Sequence, residues 1–126
     1  MASKLIIRKF LPSDIDKIIE IEKASFKQGA YSKRRLENLS KKHPNDFLVA
    51  KLADKTVGYV IAYNKAGAID FDSLAVDKKY RKLGIGKKLV SFMLNNLLAI
   101  LKEGDGFKQA AFPFIVVLEK VNFFHS

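Results

Sequence analysis

The sequence predicts an α/β domain in which a central mixed sheet is flanked by helices. Strand-like segments and segments with helical apolar spacing follow one another in the order β-α-α-β-β-β-α-β-α. One short turn between two strand-like segments indicates an antiparallel hairpin, whereas a later strand–helix–strand unit requires a parallel pair. The 126 residues are enough for one domain with one core, so we expect residues 1–126 to form a single domain.

The N-terminal third predicts one strand and two helices. Lys4–Phe10 has the composition of a strand and ends before a proline. Ser13 or Asp14 can cap a first helix, whose apolar residues repeat at helical spacing to about Phe26. After a short loop, Ser32 can cap a second helix.

The middle of the chain predicts three strands and a long helix. A turn at residues 44–46 leads into Phe47–Ala53 and Val57–Tyr63, which form the hairpin. Ala68–Val76 is the next strand. The long helix runs from Gly84 to about Lys102, where a glycine-containing segment ends it.

The C-terminal part predicts one more strand and a last helix. Phe107–Ala111 is the short candidate strand. Pro113–Val121 is the helix, because proline is favoured in a first helical turn.

Composition excludes several classes of protein. Hydrophobic residues make up 48% and charged residues 29%, which is typical of a globular domain. No apolar run approaches the ~18 to 20 residues of a membrane span, and the N-terminus has no signal-peptide pattern. The absence of cysteine excludes a disulfide scaffold, a thiol nucleophile and a cysteine zinc site, and the distant His43 and His125 do not indicate a metal site. We therefore expect a cytoplasmic protein without a metal.

The net charge of +10 has three interpretations. It could reflect proximity to nucleic acid or the ribosome, attraction of anionic ligands, or a solvated lysine-rich surface. One basic cluster flanks the glycine motif described next, and it consists of Lys78, Lys79, Arg81, Lys82, Lys87 and Lys88.

A glycine motif after the strand Ala68–Val76 predicts an anion-binding turn. The order is an apolar strand end, a basic turn, Gly84-x-Gly86 and then the long helix. Glycine lets a ligand approach the backbone, and the unpaired amides of a first helical turn carry positive potential toward a phosphate. A plain turn that needs two glycines is the alternative. The motif is neither a dinucleotide fingerprint, since Leu89 replaces the third glycine, nor a P-loop, since Lys88 replaces Ser or Thr.

The glycine motif resembles the acetyl-CoA signature of the GNAT superfamily of N-acetyltransferases, since the strand end Leu74-Ala75-Val76 is followed by Arg81-x-x-Gly84-x-Gly86. Within that superfamily, the resemblance is greatest to the group that acetylates protein N-termini, including ribosomal-protein alanines. The resemblance implies the GNAT-like acyl-CoA N-acyltransferase fold. It also implies that the strand end pairs with the pantetheine arm, that the Val76 amide stabilises the oxyanion and that the loop holds the pyrophosphate. The implied acetyl-CoA residues are Leu74, Ala75, Val76, Arg81, Lys82, Leu83, Gly84, Ile85, Gly86 and Lys87.

Two acidic residues on the strand before the motif are candidate catalytic bases. Asp70 and Asp72 share a face because strand side chains alternate with period two. An amine acceptor must lose a proton, which a carboxylate or a water beside one can take. The alternative is that both acids pair with surface lysines or that Asp72 caps a turn. By resemblance, Asp70 matches a carboxylate base of some family members, and Tyr31 lies in a stretch similar to the substrate loop of N-terminal acetyltransferases.

The C-terminal part departs from the family pattern. Val117–Phe123 matches the family's last helical stretch, but Leu118 stands where the resemblance places a general-acid tyrosine, and leucine cannot donate a proton. The family continues with two more strands, so we expect a shortened C-terminus that lacks them. The strand after the long helix would then lie near an edge, and an uncovered edge invites pairing with a second copy in a homodimer.

The leading functional hypothesis is an enzyme that moves acetyl from acetyl-CoA to a primary amine by direct attack. A protein N-terminus is one candidate for that amine, which the sequence does not identify. Leu118 and the expected shortened C-terminus favour an alternative, a catalytically impaired acetyl-CoA-binding or protein-interaction module. A basic nucleic-acid or ribosome-associated protein is a second alternative, but no nucleic-acid motif supports it. We expect no membrane partner.

Overall fold

The computed structural model describes residues 4–103 and 115–117. Within them lies one five-stranded sheet of order β1-β2-β3-β4-β5, in which β1 to β4 are antiparallel neighbours and β5 is parallel to β4. The strands are β1 Leu5–Lys9, β2 Phe47–Leu52, β3 Lys55–Lys65, β4 Ala68–Val76 and β5 Ile115–Val117. The α-helices are α1 Ile15–Phe26, α2 Lys33–Lys42 and α3 Ile85–Glu103.

The structure confirms the predicted mixed sheet and most of the predicted elements. Ser32 caps α2 as predicted, since its Oγ accepts a hydrogen bond from the Arg35 amide at 3.1 Å. The hairpin turn is tighter than predicted, because β3 begins at Lys55 directly after two residues with positive φ, Ala53 and Asp54. Such a turn matches the twist of the two strands that it joins.

The predicted cap of α1 is wrong, because neither Ser13 nor Asp14 caps that helix with its side chain. The buried Asp14 carboxylate instead accepts from the Leu11 amide at 2.8 Å and pairs with the Arg8 guanidinium at 2.8 and 2.9 Å. Burial works against the charge of Asp14, but the bonds from Arg8 and Leu11 outweigh it and lower the pKa of this carboxyl. The pair therefore ties β1 to the start of α1.

The predicted last helix Pro113–Val121 is also wrong where the structure describes it. Ile115–Val117 forms β5, which lies parallel to Ala68–Asp70 at the start of β4. Three consecutive β-branched residues favour an extended chain when a sheet edge is available to pair with them. The predicted parallel relation between β4 and the strand after α3 is confirmed, whereas the candidate strand Phe107–Ala111 lies outside the described residues.

The sheet separates two hydrophobic clusters. On one side, α3 packs on the sheet through Leu89, Met93 and Leu97. A side chain at Gly58 of β3 would meet the Ala75 oxygen at 3.1 Å and Leu89 at 3.3 Å, so glycine lets α3 lie close to the sheet. On the other side, α1 and α2 cover the sheet, and this side carries the polar residues of the candidate site.

Candidate functional site

A bulge in β4 arranges the polar side chains on the α1–α2 side of the sheet. The pairing of β3 with β4 shifts between Ile61, which lies opposite Ser73, and Ala62, which lies opposite Phe71. Asp72 is thus the extra residue, and both Asp72 and Ser73 bond to groups on the α1–α2 side. A bulge commonly redirects a side chain next to a site.

Two tyrosines from distant parts of the chain hold the Asp72 carboxylate. The Tyr31 hydroxyl donates to one oxygen, and the Tyr63 hydroxyl donates to the other at 2.6 Å. Burial and the bond to Asp72 raise the pKa of Tyr31 to about 12 and also raise the pKa of Tyr63. Both phenols therefore stay protonated at neutral pH and remain donors to Asp72.

A buried glutamate beneath this cluster was missed as a functional residue by sequence reasoning. Glu22 of α1 is 0% exposed, and its carboxylate accepts from the Tyr59 hydroxyl, from Ser73 Oγ at 2.9 Å and from the Tyr31 amide at 2.8 Å. The sequence does contain a signal for its burial, because Glu22 is a charged residue at a position that the helical spacing of α1 otherwise assigns to apolar residues. Glu22 fixes the backbone of Tyr31, whose hydroxyl reaches Asp72.

The cluster opens into a cavity of about 470 Å³. The structure brings the predicted residues Asp70, Asp72 and Tyr31 together at its wall, beside the cationic side chains of Arg35 and Lys65. The Arg35 guanidinium lies over the Tyr31 ring, 5.3 Å from its centroid. The cavity therefore combines two carboxylates that can attract an ammonium group with two exposed cationic side chains.

The second half of the site is the far end of β4. Within the described residues, β5 pairs only with Ala68–Asp70, so the edge of β4 at Leu74–Val76 has no strand partner there. The Asp77 amide donates to the Val57 oxygen at 2.7 Å, which makes Gly58 and Val76 a non-hydrogen-bonded pair. The main-chain groups of Leu74 and Val76 therefore point away from β3, toward the open edge.

The glycine motif forms an open turn that leads directly into α3. Lys82 and Gly84 have φ values of 69° and 79°, and the Gly84 oxygen accepts the first α3 bond from the Lys88 amide at 3.1 Å. The amides of Ile85, Gly86 and Lys87 lie in the first turn of α3, where they have no partner four residues back. A side chain at Gly84 would meet no atom within 4 Å, so the space beside this turn is open.

Two charged side chains hold the basic turn against β4. Asp77 accepts from the Lys79 amide at 3.0 Å and pairs with Lys17 at 3.2 Å. Burial works against the charge of Asp77, but these two partners outweigh it and lower its pKa. Arg81 turns back, so that its Nε donates to the Val76 oxygen at 3.0 Å and its terminal nitrogen to Ser25 Oγ at 3.3 Å. These two bonds use part of its five-donor fork.

In the part of the chain that the structure describes, no three His, Asp or Glu side chains converge as metal ligands. No described helix is both long enough and apolar enough to cross a bilayer.

Comparison with protein families shows that residues 43–124 match the model of the acetyltransferase (GNAT) domain. An uncharacterized N-acetyltransferase of Methanocaldococcus jannaschii is 37% identical over 91 residues, a span that covers 72% of this chain and 58% of that protein. The predicted resemblance to the GNAT superfamily is thereby confirmed.

Solved structures show the same fold. The crystal structure of Ard1 from Thermoplasma volcanium matches with a TM-score of 0.68 and 25% identity, and the match covers 79% of this chain and 64% of that one. The ribosomal-protein-S18-alanine N-acetyltransferase from Escherichia coli matches with a TM-score of 0.64 and 15% identity over 77% of this chain and 61% of that one. The chain thus spans about three fifths of the length of these relatives.

Proposed function

Because this chain belongs to the GNAT acetyltransferase family, we propose that it is an N-acetyltransferase that moves an acetyl group from acetyl-CoA to a primary amine. The observation that carries the proposal is the open edge of β4 at Leu74–Val76, which runs directly into the glycine turn and the first turn of α3. On the same strand, the Asp72 cluster lines a cavity that suits an amine.

The residues of β4 and of the loop after it fit acetyl-CoA. The outward main-chain groups of Leu74 and the outward Val76 amide can pair with the amide groups of a pantetheine arm as an added strand does, while the Val76 oxygen is already bonded to Arg81. The amides from Lys82 to Lys87 and the remaining donors of the Arg81 guanidinium suit a pyrophosphate. The exposed side chains of Lys82 and Leu83 leave the main chain to make these contacts.

The acidic cavity would bind and deprotonate the acceptor. Asp72, held by Tyr31 and Tyr63, attracts the ammonium, and Asp70 or a water beside it takes the proton. The freed amine attacks the acetyl carbonyl, so the new N–C bond replaces the C–S bond and the CoA sulfur takes up a proton. The Val76 amide, which points toward the open edge, is proposed to stabilise the charge on the carbonyl oxygen.

The finer assignments belong to the same proposal. A protein N-terminus is the proposed acceptor, because an α-amine has a pKa near 8 and loses its proton more readily than a lysine, with a pKa near 10.4. The cytoplasmic location and the homodimer stay predictions from the sequence. The position of Leu118, on which the impaired alternative depends, lies outside the described residues.

Thermal melting with acetyl-CoA tests the cofactor half of the proposal. A ligand at ~100 times its Kd adds about 2.7 kcal/mol to the free energy of unfolding, which raises the Tm by several degrees. Gly84→Glu should remove the shift, because a carboxylate there repels phosphate. Gly67→Glu is the matched control, since Gly67 has a similar φ of 84° and equally open surroundings in the β3–β4 turn.

Release of free CoA thiol in the presence of a peptide with a free N-terminus tests the transfer half. We expect release that depends on the peptide amine and falls strongly in Asp72→Asn. A Tm shift without amine-dependent release would favour the impaired CoA-binding module. The absence of any shift in the unaltered protein would remove the cofactor assignment.

A further inference from the structure

A second, basic hollow adjoins the acidic cavity. The hollow has a volume of about 320 Å³ and lies along α2, where Lys42 and His43 line it. It shares Arg35, Tyr63 and Lys65 with the cavity that contains Asp72. The two spaces therefore adjoin at these three residues. We call the two spaces together the α2 groove, in which carboxylates line the first space and cations line both.

The cations of the α2 groove are available to a ligand. Arg35, Lys42 and Lys65 are all exposed, and among the described residues none of the three forms an ion pair with an acidic side chain. Arg35 lines both spaces, and its guanidinium is positioned by its contact with the Tyr31 ring. His43 stacks on Tyr63 with 3.9 Å between the ring centroids, and both rings line the second hollow.

We propose that the acceptor is a polypeptide N-terminus whose first residues after the amino group are acidic, an inference that rests on the proposed function and specifies its substrate. The α-ammonium lies against Asp72 and Asp70, and the following carboxylates lie along Arg35, Lys65 and Lys42. The separation of negative and positive charge in the groove is the reverse of the charge order in such a peptide. A basic second residue would instead meet three cations at close range, which selects against it.

The length of the groove favours a peptide over a free amino acid. Lys42 lines the second hollow but not the cavity that contains Asp72. An amino acid held at Asp72 occupies only the first space, whereas an extended chain advances about 3.3 Å with each added residue. A peptide of a few residues reaches the second hollow, where Lys42 lies at the end of α2. The overall charge of +10 adds a long-range attraction for an acidic chain.

Binding of a peptide series to the full chain, with and without saturating CoA, tests the inference. The peptides share one length and a free N-terminal alanine, and they differ only in having Glu, Gln or Lys at the second and third positions. Exposed ion pairs each change an equilibrium constant by up to about five-fold, so we expect the Glu peptide to bind roughly ten-fold more tightly than the Gln peptide. The difference should shrink as salt is raised, because exposed charges are screened.

Two double variants separate the groove from the overall charge. Lys42→Gln with Lys65→Gln should bring the Glu-to-Gln affinity ratio close to one. Lys33→Gln with Lys41→Gln removes the same charge from exposed positions of α2 that do not line either space, and it should keep the ratio. N-terminal acetylation of the Glu peptide should weaken its binding, because the Asp72 end then has no ammonium to hold.

Equal affinity for the Glu and Gln peptides, no binding of any peptide, or an equal loss in both double variants would overturn the inference. Free glutamate that binds as tightly as the Glu peptide would replace the peptide with a small amino acid and would also overturn it. A CoA-release assay on the same peptides keeps the proposed function separate. Equal turnover of all three peptides would support transfer and refute the charge preference, whereas selective binding without turnover would support the groove and refute transfer.

Discussion

Replacement of Gly84 by alanine should destabilise the protein through backbone strain alone. Gly84 has a φ of 79°, and an added Cβ would meet no atom within 4 Å, so no steric clash contributes. A non-glycine residue in the left-handed region costs about 1–2 kcal/mol. Alanine also reduces the freedom of the unfolded chain, which stabilises the folded state by roughly 0.4–1 kcal/mol. The net loss of unfolding free energy is therefore about 1 kcal/mol.

Two other glycines provide controls for this value. Gly67 has a φ of 84° and equally open surroundings, so Gly67→Ala should show the same loss. Gly29 also has open surroundings, but its φ lies outside the left-handed range, so Gly29→Ala should stabilise by roughly 0.4–1 kcal/mol. Urea unfolding of the three variants at constant m-value measures the differences. If Gly84→Ala is as stable as Gly29→Ala, the assigned conformation of the glycine turn is refuted.

Three further predictions concern the polar clusters. Glu22→Ala removes the acceptor of three donors, but the Tyr59 and Ser73 hydroxyls lie 3.2 Å apart and can still bond to each other. Two donors are then left unsatisfied at a cost of about 1–3 kcal/mol each, so urea unfolding should show a loss of about 2 kcal/mol or more. Glu20→Ala on the exposed side of α1 should change little, and a small loss for Glu22→Ala would contradict the buried network. Because the pKa of Asp14 is lowered in the folded state, its charge stabilises the protein above the pH near 4 where an unfolded aspartate titrates, and this stabilisation is lost as the pH falls through the folded pKa. Asp14→Asn should therefore lower the urea midpoint at neutral pH, and the midpoint of this variant should fall less steeply as the pH is lowered. An equally steep fall would count against the pair with Arg8. The pKa of the Tyr31 phenol is raised to about 12 in the folded state, so the neutral phenol stabilises the fold below pH ~10, and this stabilisation is lost as the pH rises through 12. The urea midpoint of Tyr31→Phe should therefore fall less steeply at alkaline pH than that of the unaltered protein. An equally steep fall would argue against the bond from Tyr31 to Asp72.

Local patterns predicted most elements because their causes lie within a few residues. Alternation and helical spacing placed β1 to β4 and α1 to α3, and the Ser32 cap followed from one side chain and one nearby amide. The C-terminal prediction failed because Pro113 suggested a helix start, whereas Ile115–Val117 pairs with β4, which lies about 45 residues earlier in the chain. Such a partner leaves no trace in the local spacing.

The candidate site divides in the same way. The glycine turn was predicted because Leu74–Lys87 is one continuous segment whose strand end, glycines and helix start carry the geometry. The acidic cavity was predicted in part, since alternation placed Asp70 and Asp72 together. Tyr63 was missed as their partner, and so was the bulge at Asp72, because a bulge depends on the register with β3.

The amino-acid sequence alone was sufficient for the family, for the order of elements from β1 to α3 and for the position of the glycine turn, since each follows from neighbouring residues and a short motif. The burial of Glu22 and the tyrosine pair on Asp72 required the folded chain, and so did the placement of Arg35 and Lys65 in the same cavity as that carboxylate. These features join α1, the loop before α2, α2 itself, and strands β3 and β4. Contacts between elements so far apart in the chain are set by packing and register, which no local pattern encodes.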